Sequence, residues 1–272
     1  MTLNKKTENI LSLLEKASHL YANLTFKIIK EDYIKNRQIL CWLLNKINSN
    51  LEAASLLLRR NYPHEIKIIL RSAFETIVLM SYILDKPENE TFYKNDSIML
   101  LFKNKFQIYK NIIHYKKSSQ KLLEHNKAEF LLSFKKVKDI ALKYLGEDIC
   151  SKLSKGEIDE KSLEKKLRTM PKSMKTGTLL NNLKTDLETE SLKKYGFELY
   201  DSLSQTAHGA LFSWMDKPNI NSDIKSLHSY FLKIIFLSLI TLRKAGVKSD
   251  DYHEQAELRK IFETLQTLIE KN

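Results

Sequence analysis

Only six glycines and four prolines punctuate 272 residues. A sheet-rich chain of this length turns every few residues and uses Gly, Pro and Asn to do so. A chain so poor in turn residues must lay its apolar side chains along long helices. The spacing agrees. Ile10, Leu13, Leu14, Ala17, Tyr21 and Leu24 recur every three or four positions, and Ile39 through Leu58 repeat the pattern. The expected fold is all-α, a multi-helix bundle of roughly eight to ten helices.

The breaks fall where helices cannot continue. Lys30-Glu31-Asp32 interrupts the first apolar stripe, and Pro63 disfavours helical geometry at Tyr62 while suiting the first turn of a new helix. Asp85-Lys86-Pro87 ends that helix, Lys116-Lys117-Ser118-Ser119 forms a polar joint, and Gly246 takes a C-cap position. Between 146 and 190 the rhythm fails, with Gly146, Gly156, Pro171 and Gly177 in a charged stretch. The sequence thus suggests an N-terminal helical part at 1–145, an irregular or mobile insertion at 146–190, and C-terminal helices at 191–272. The last would pack on the first to make one composite domain.

Composition narrows the setting. Cys41 and Cys150 have no ligand-like spacing, which suits a reducing cytoplasm and gives no metal site. The N-terminus has no signal-peptide core. The greasiest stretch, residues 231–242, contains Lys233 and is about half the length of a spanning helix, so no membrane insertion is expected. Searches for Walker, dinucleotide, HExxH and GxSxG motifs return nothing, so neither a cofactor nor a metal is expected. The net charge is +12, and a protein this basic favours anionic partners.

Two polar columns are written into greasy helices at four-residue spacing: Lys67, Arg71 and Glu75, then Tyr200, Ser204 and His208. Residues four apart share a helix face. On a helix that is apolar nearly all round, such a column marks either a wet edge or an internal site. Arg71 and Glu75 form either a ligand anchor or a structural ion pair. Arg before Glu is the weaker order for such a pair, so a partner on another helix is expected. His208 suits proton transfer near neutral pH, or else belongs to a hydrogen-bonded core triplet, and Gly209 beside it would permit a close approach. The two columns are expected to meet, since each would otherwise bury unpaired groups.

Between residues 101 and 144 eleven lysines and no arginine face three acids. Lys103, Lys105, Lys110, Lys116, Lys117 and Lys121 interleave with Phe106, Tyr109 and Tyr115. The stretch is either a phosphate-binding surface or a solvated face whose aromatics turn inward.

LRSAFETIVLMSYILDKPE followed far downstream by YDSLSQTAHG resembles an uncharacterised family of helical bacterial proteins. Its pattern pairs an R-S-x-x-E helix, here Arg71, Ser72 and Glu75, with a Y-x-x-x-S-x-x-x-H helix, here Tyr200, Ser204 and His208. The resemblance spans roughly residues 40–245 and implies an all-helical fold with a shared polar centre. Some members are distantly similar to HEPN proteins of toxin–antitoxin and anti-phage systems. Arg59 and His64 reproduce the R-x4-H spacing of that class's metal-independent ribonucleases, across a helix junction. The functional expectation is an RNA-directed effector of a bacterial stress or phage-defence system, toxin-like, in ribonuclease form using Arg71, Glu75, Tyr200, Ser204 and His208. Its partners would be RNA, and a partner protein or a second copy. The alternative is a non-enzymatic helical module that binds a protein or small ligand, with those residues as structural glue.

Overall fold

Among the described residues of the computed structural model there is no strand. The structure describes residues 5–60, 62–115, 119–170, 176–184, 186–208, 220–246 and 252–270. Eight helices run for 18 residues or more: α1 (Lys5–Ile28), α3 (Gln38–Arg59), α4 (Pro63–Asp85), α5 (Pro87–Ile113), α6 (Gln120–Leu145), α10 (Leu187–His208), α11 (Ile220–Lys244) and α12 (His253–Glu270). Shorter helices are α2 (Asp32–Lys35), α7 (Glu147–Ser154), α8 (Glu160–Thr169) and α9 (Thr176–Asn182). The all-α expectation holds, and α2 sits at the expected break in the first stripe. Pro63 opens α4, and Gly246 follows α11 at φ 84°, a left-handed conformation that glycine adopts without strain.

The chain divides into two compact units, residues 1–87 with 176–272, and residues 88–175. These boundaries differ from those read off the sequence rhythm. The charged stretch from 146 carries α7 and α8 in the second unit and α9 in the first. Its helices are short and capped by local signals. Asp159, for example, accepts the Ser162 N–H at 3.2 Å.

The first unit is organised around α4. Its Leu70, Ala73, Phe74, Ile77, Val78 and Ile83 are fully buried, because α3, α9, α10 and α11 all pack on it. α1 then packs on α3 and α12. Several polar contacts join these helices. Ser81 and Thr241 share a hydrogen bond of 3.0 Å between α4 and α11. Tyr21 of α1 hydrogen-bonds Ser238 of α11, and burial pushes its phenol up to about 12. At the end of α4, Asp85 is ion-paired with Lys244, and it accepts the Lys184 N–H at 3.1 Å. Lys244 also reaches Asp186 at 3.2 Å.

The second unit is held by an aromatic cluster. Phe102 and Tyr109 of α5 stack on Phe130 of α6 at 5.1 and 5.4 Å between centroids. Lys110 bridges to Glu164 of α8 at 2.6 Å.

One buried histidine in the first unit has a consequence for stability. His228 of α11 is 1% exposed, and among the described residues its Nε2 has no hydrogen-bond partner. Burial lowers its pKa to about 4. The unfolded chain binds a proton below about 6.5, whereas the fold resists it until the lower value. Stability should therefore fall as pH drops through that window, by about 3 kcal/mol at its foot. Thermal melts of wild type and His228→Leu from about pH 7 to about pH 4 should show this loss in wild type and its reduction in the variant. Equal slopes would contradict it.

Candidate functional site

The first polar column sits on α4, where Arg71 and Glu75 pair with each other. Arg71 Nε donates to Glu75 Oε1 at 3.0 Å, one turn on. The Arg71 side chain is 19% exposed and that of Glu75 39%, so the pair lies at the wet edge of an otherwise enclosed helix. Ser72 accepts from Asn50 Nδ2 of α3 at 3.3 Å, which ties α4 to the preceding helix.

The partner expected on another helix is present. The Arg71 guanidinium lies over the ring of Tyr200 on α10, 5.3 Å from its centroid. A guanidinium over a phenol ring is attracted by the ring's negative face. Among the described residues, Glu75 and Tyr200 are its only partners, and both leave the outer Nη edge unspent.

Two contacts fix the register of α4 against α10. Arg71 meets Tyr200, and Phe74 meets Gly196. The helices therefore run antiparallel. Of the two columns expected to meet, the contact described is Arg71 with Tyr200. Helix α10 continues through His208, but the side chains of Ser204 and His208, and all of Gly209, lie outside the described residues.

Gly196 stands four residues before Tyr200 and begins the same column. A Cβ there would lie 3.1 Å from Phe74 Cζ and 3.3 Å from Leu180 Cδ2. Its missing side chain is what brings α10 close to α4 and α9. In the sequence its one mark is a small residue in register with Tyr200.

The other candidate residues lie elsewhere. Arg59, at the end of α3, is exposed and pairs through Nε and Nη2 with both carboxylate oxygens of Glu15 on α1. It therefore has a helix-joining role, and the His64 side chain lies outside the described residues. Of the candidate lysines, Lys105 and Lys121 are exposed and Lys103 is half-buried. Lys110 is committed to Glu164, and Lys116 and Lys117 lie outside the described residues. The interleaved Phe106, Tyr109, Phe130 and Phe134 are buried together, while Tyr115 is exposed. The lysines therefore stand on the outside of an aromatic core. The 88–175 unit holds 20 basic and 12 acidic residues, +8 of the chain's net +12.

Residues 37–223 match the profile of DUF5677, a family of unknown function. The match covers more than two thirds of the chain and includes both polar columns. The chain belongs to this family. No curated protein and no solved structure matches it. The DUF5677 span runs from the start of α3 into the first turn of α11, so it holds the Arg71–Tyr200 contact and the whole basic unit. It leaves out α1, most of α11 and α12.

Two substitutions test this packing. In a double-mutant cycle, Arg71→Ala and Tyr200→Leu should couple by about 0.5–1 kcal/mol in denaturant unfolding. Additive losses would mean that the stacking contributes nothing. Gly→Ala in a helix interior ordinarily adds up to about 1 kcal/mol. At Gly196 the new methyl meets the fully buried Phe74 ring, and overpacking of about 1–3 kcal/mol should outweigh that gain. Gly196→Ala should melt below wild type, and a higher melting temperature would contradict the close approach.

Proposed function

We propose that this DUF5677 protein is an RNA-directed helical effector, of the kind used in bacterial stress or phage defence, that seats a backbone phosphate on Arg71. The observation that carries the reading is the state of that guanidinium. Glu75 holds its Nε and Tyr200 holds its face, which leaves its Nη groups without a hydrogen-bond partner among the described residues. A preorganised arginine edge offers the paired donors that phosphate oxygens accept. The concentration of positive charge on the 88–175 unit supports the same class of ligand.

In its ribonuclease form the chemistry needs no metal. His208 would take the proton from a ribose 2′-hydroxyl, whose oxygen attacks the adjacent phosphorus. The 5′-oxygen leaves with a proton from a general acid, giving a 2′,3′-cyclic phosphate. Arg71 would neutralise the charge that builds on the phosphorane, with Glu75 and Tyr200 orienting it. Tyr200 and His208 are two turns apart on α10, about 12 Å along its axis. Cleavage thus requires two side chains converging over that span, whereas binding requires Arg71 alone.

One observation favours the second reading, a binding module in which the column is structural glue. Further along the same helix, Ser81 and Asp85 join α4 to α11 in the same manner.

Single-stranded RNA should bind with an affinity that falls steeply with salt. Lys121→Glu, Lys135→Glu and Lys138→Glu, all exposed on α6, should together flatten the log–log slope by roughly 2, about 0.7 per lost phosphate contact. Binding indifferent to salt rejects the RNA reading. In EDTA, His208→Ala should slow RNA cleavage by about 10²–10⁴-fold while the melting temperature holds. A wild type that binds RNA without cutting it removes the ribonuclease form and keeps the binding role.

A further inference from the structure

Helices α11 and α12 approach each other but do not pack along their length; both are fastened instead to other helices, α11 to α4 and α10, α12 to α1. Between them, and lined also by Ser191 of α10, lies an open groove of about 480 Å³. That volume falls within the roughly 300–1,000 Å³ typical of small-molecule sites. The groove is separate from the Arg71–Tyr200 contact, and of its lining only Ser191 falls within the DUF5677 span.

The lining is sorted by chemistry. Phe236, Leu239 and Ile240 form an apolar stripe at helical spacing on α11, and Phe262 faces them from α12. Phe236 and Phe262 meet edge to face at 6.2 Å, yet Phe236 remains 43% exposed. Large apolar groups left in water along a concave surface mark a binding surface more often than a finished core. About one turn beyond Ile240, Arg243 stands exposed at the rim, and among the described residues no acid pairs with it. Arg259 lines the opposite wall on α12. Glu263, four residues on, is the single acid in the lining, so the groove carries a net positive charge above an apolar floor.

We propose that this groove binds a small amphiphilic anion, an aliphatic chain carrying one carboxylate. The chain lies along Phe236, Ile240 and Phe262, and the carboxylate takes the guanidinium of Arg243. An apolar floor gives affinity without selectivity, and the charge at one end sets the orientation. A nucleotide fits this lining less well. Its base edge needs several neutral donors and acceptors, and beside Arg243, Arg259 and Glu263 the lining offers only Gln255, which is buried, and Ser191.

Isothermal titration of the full chain with decanoate, kept below its micelle concentration, tests the site. Saturable binding at a single site is expected. Replacing the carboxylate by the neutral head of decanol, or Arg243 by Glu, should each weaken it by about tenfold or more, the scale of one charge-assisted hydrogen bond. Ile240→Trp fills the groove and should abolish binding with the melting temperature retained. Arg243→Glu, on the exposed rim, reads the charge independently should the filling variant fail to fold. Absent saturation, equal affinity for decanol, unchanged binding in Arg243→Glu, or preferential binding of adenosine monophosphate would each overturn the proposal.

Discussion

The enclosure of α4 is the constraint on which the rest of the first unit depends. The helix carries bulky apolar residues round nearly its whole circumference, so it is stable only when other helices cover it. Four helices do so, and three of them, α3, α10 and α11, are located by polar contacts to α4. Asn50 of α3 meets Ser72, Tyr200 of α10 meets Arg71, Thr241 of α11 meets Ser81, and Lys244 meets Asp85. Dispersion and burial supply the attraction, but they are nearly indifferent to sliding. The polar contacts set which residue stands opposite which. Asp85, 3% exposed, is the strictest of them, because removing Lys244 would strand a buried carboxylate at a cost of about 3–5 kcal/mol.

Much of this was legible in the residues. Pro63 marks the start of α4 and Asp85-Lys86-Pro87 its end, and the scarcity of Gly and Pro excludes a sheet-rich fold. The need of Arg71 for a second partner follows from the wrong order of an Arg–Glu pair, and Tyr200 meets that need. Other features were not legible, for physical reasons. The helices between 146 and 190 are too short for apolar periodicity to stand out from their charge, so they read as an irregular insertion. The pairing of α4 with α11 joins residues 160 positions apart, and nothing local in Ser81 or Thr241 announces it. Gly196 is silent in a polarity pattern because its role is the side chain it lacks.

The charge follows the division into units. A helix face rich in lysine costs little when it is solvated, so the 88–175 unit can carry +8 while its aromatics close the core beneath. The 1–87 and 176–272 unit instead spends its charged groups singly. Arg71, Lys244 and Arg59 each join two helices. Arg59 forks onto both oxygens of Glu15, whereas Arg71 gives its carboxylate only Nε, with both Nη groups unbonded among the described residues.

The most direct measurement is therefore of Arg71 itself. In protein carrying ¹⁵N-labelled arginine side chains, the Arg71 Nε and Nη resonances can be assigned by loss in Arg71→Lys. They can then be followed as a short single-stranded RNA is added. Seating of a phosphate on the Nη edge predicts that these resonances shift in step with saturation and that Arg71→Lys weakens binding. Resonances that stay still while RNA saturates the lysines of the other unit would contradict the account, and would leave Arg71 as a joint between helices.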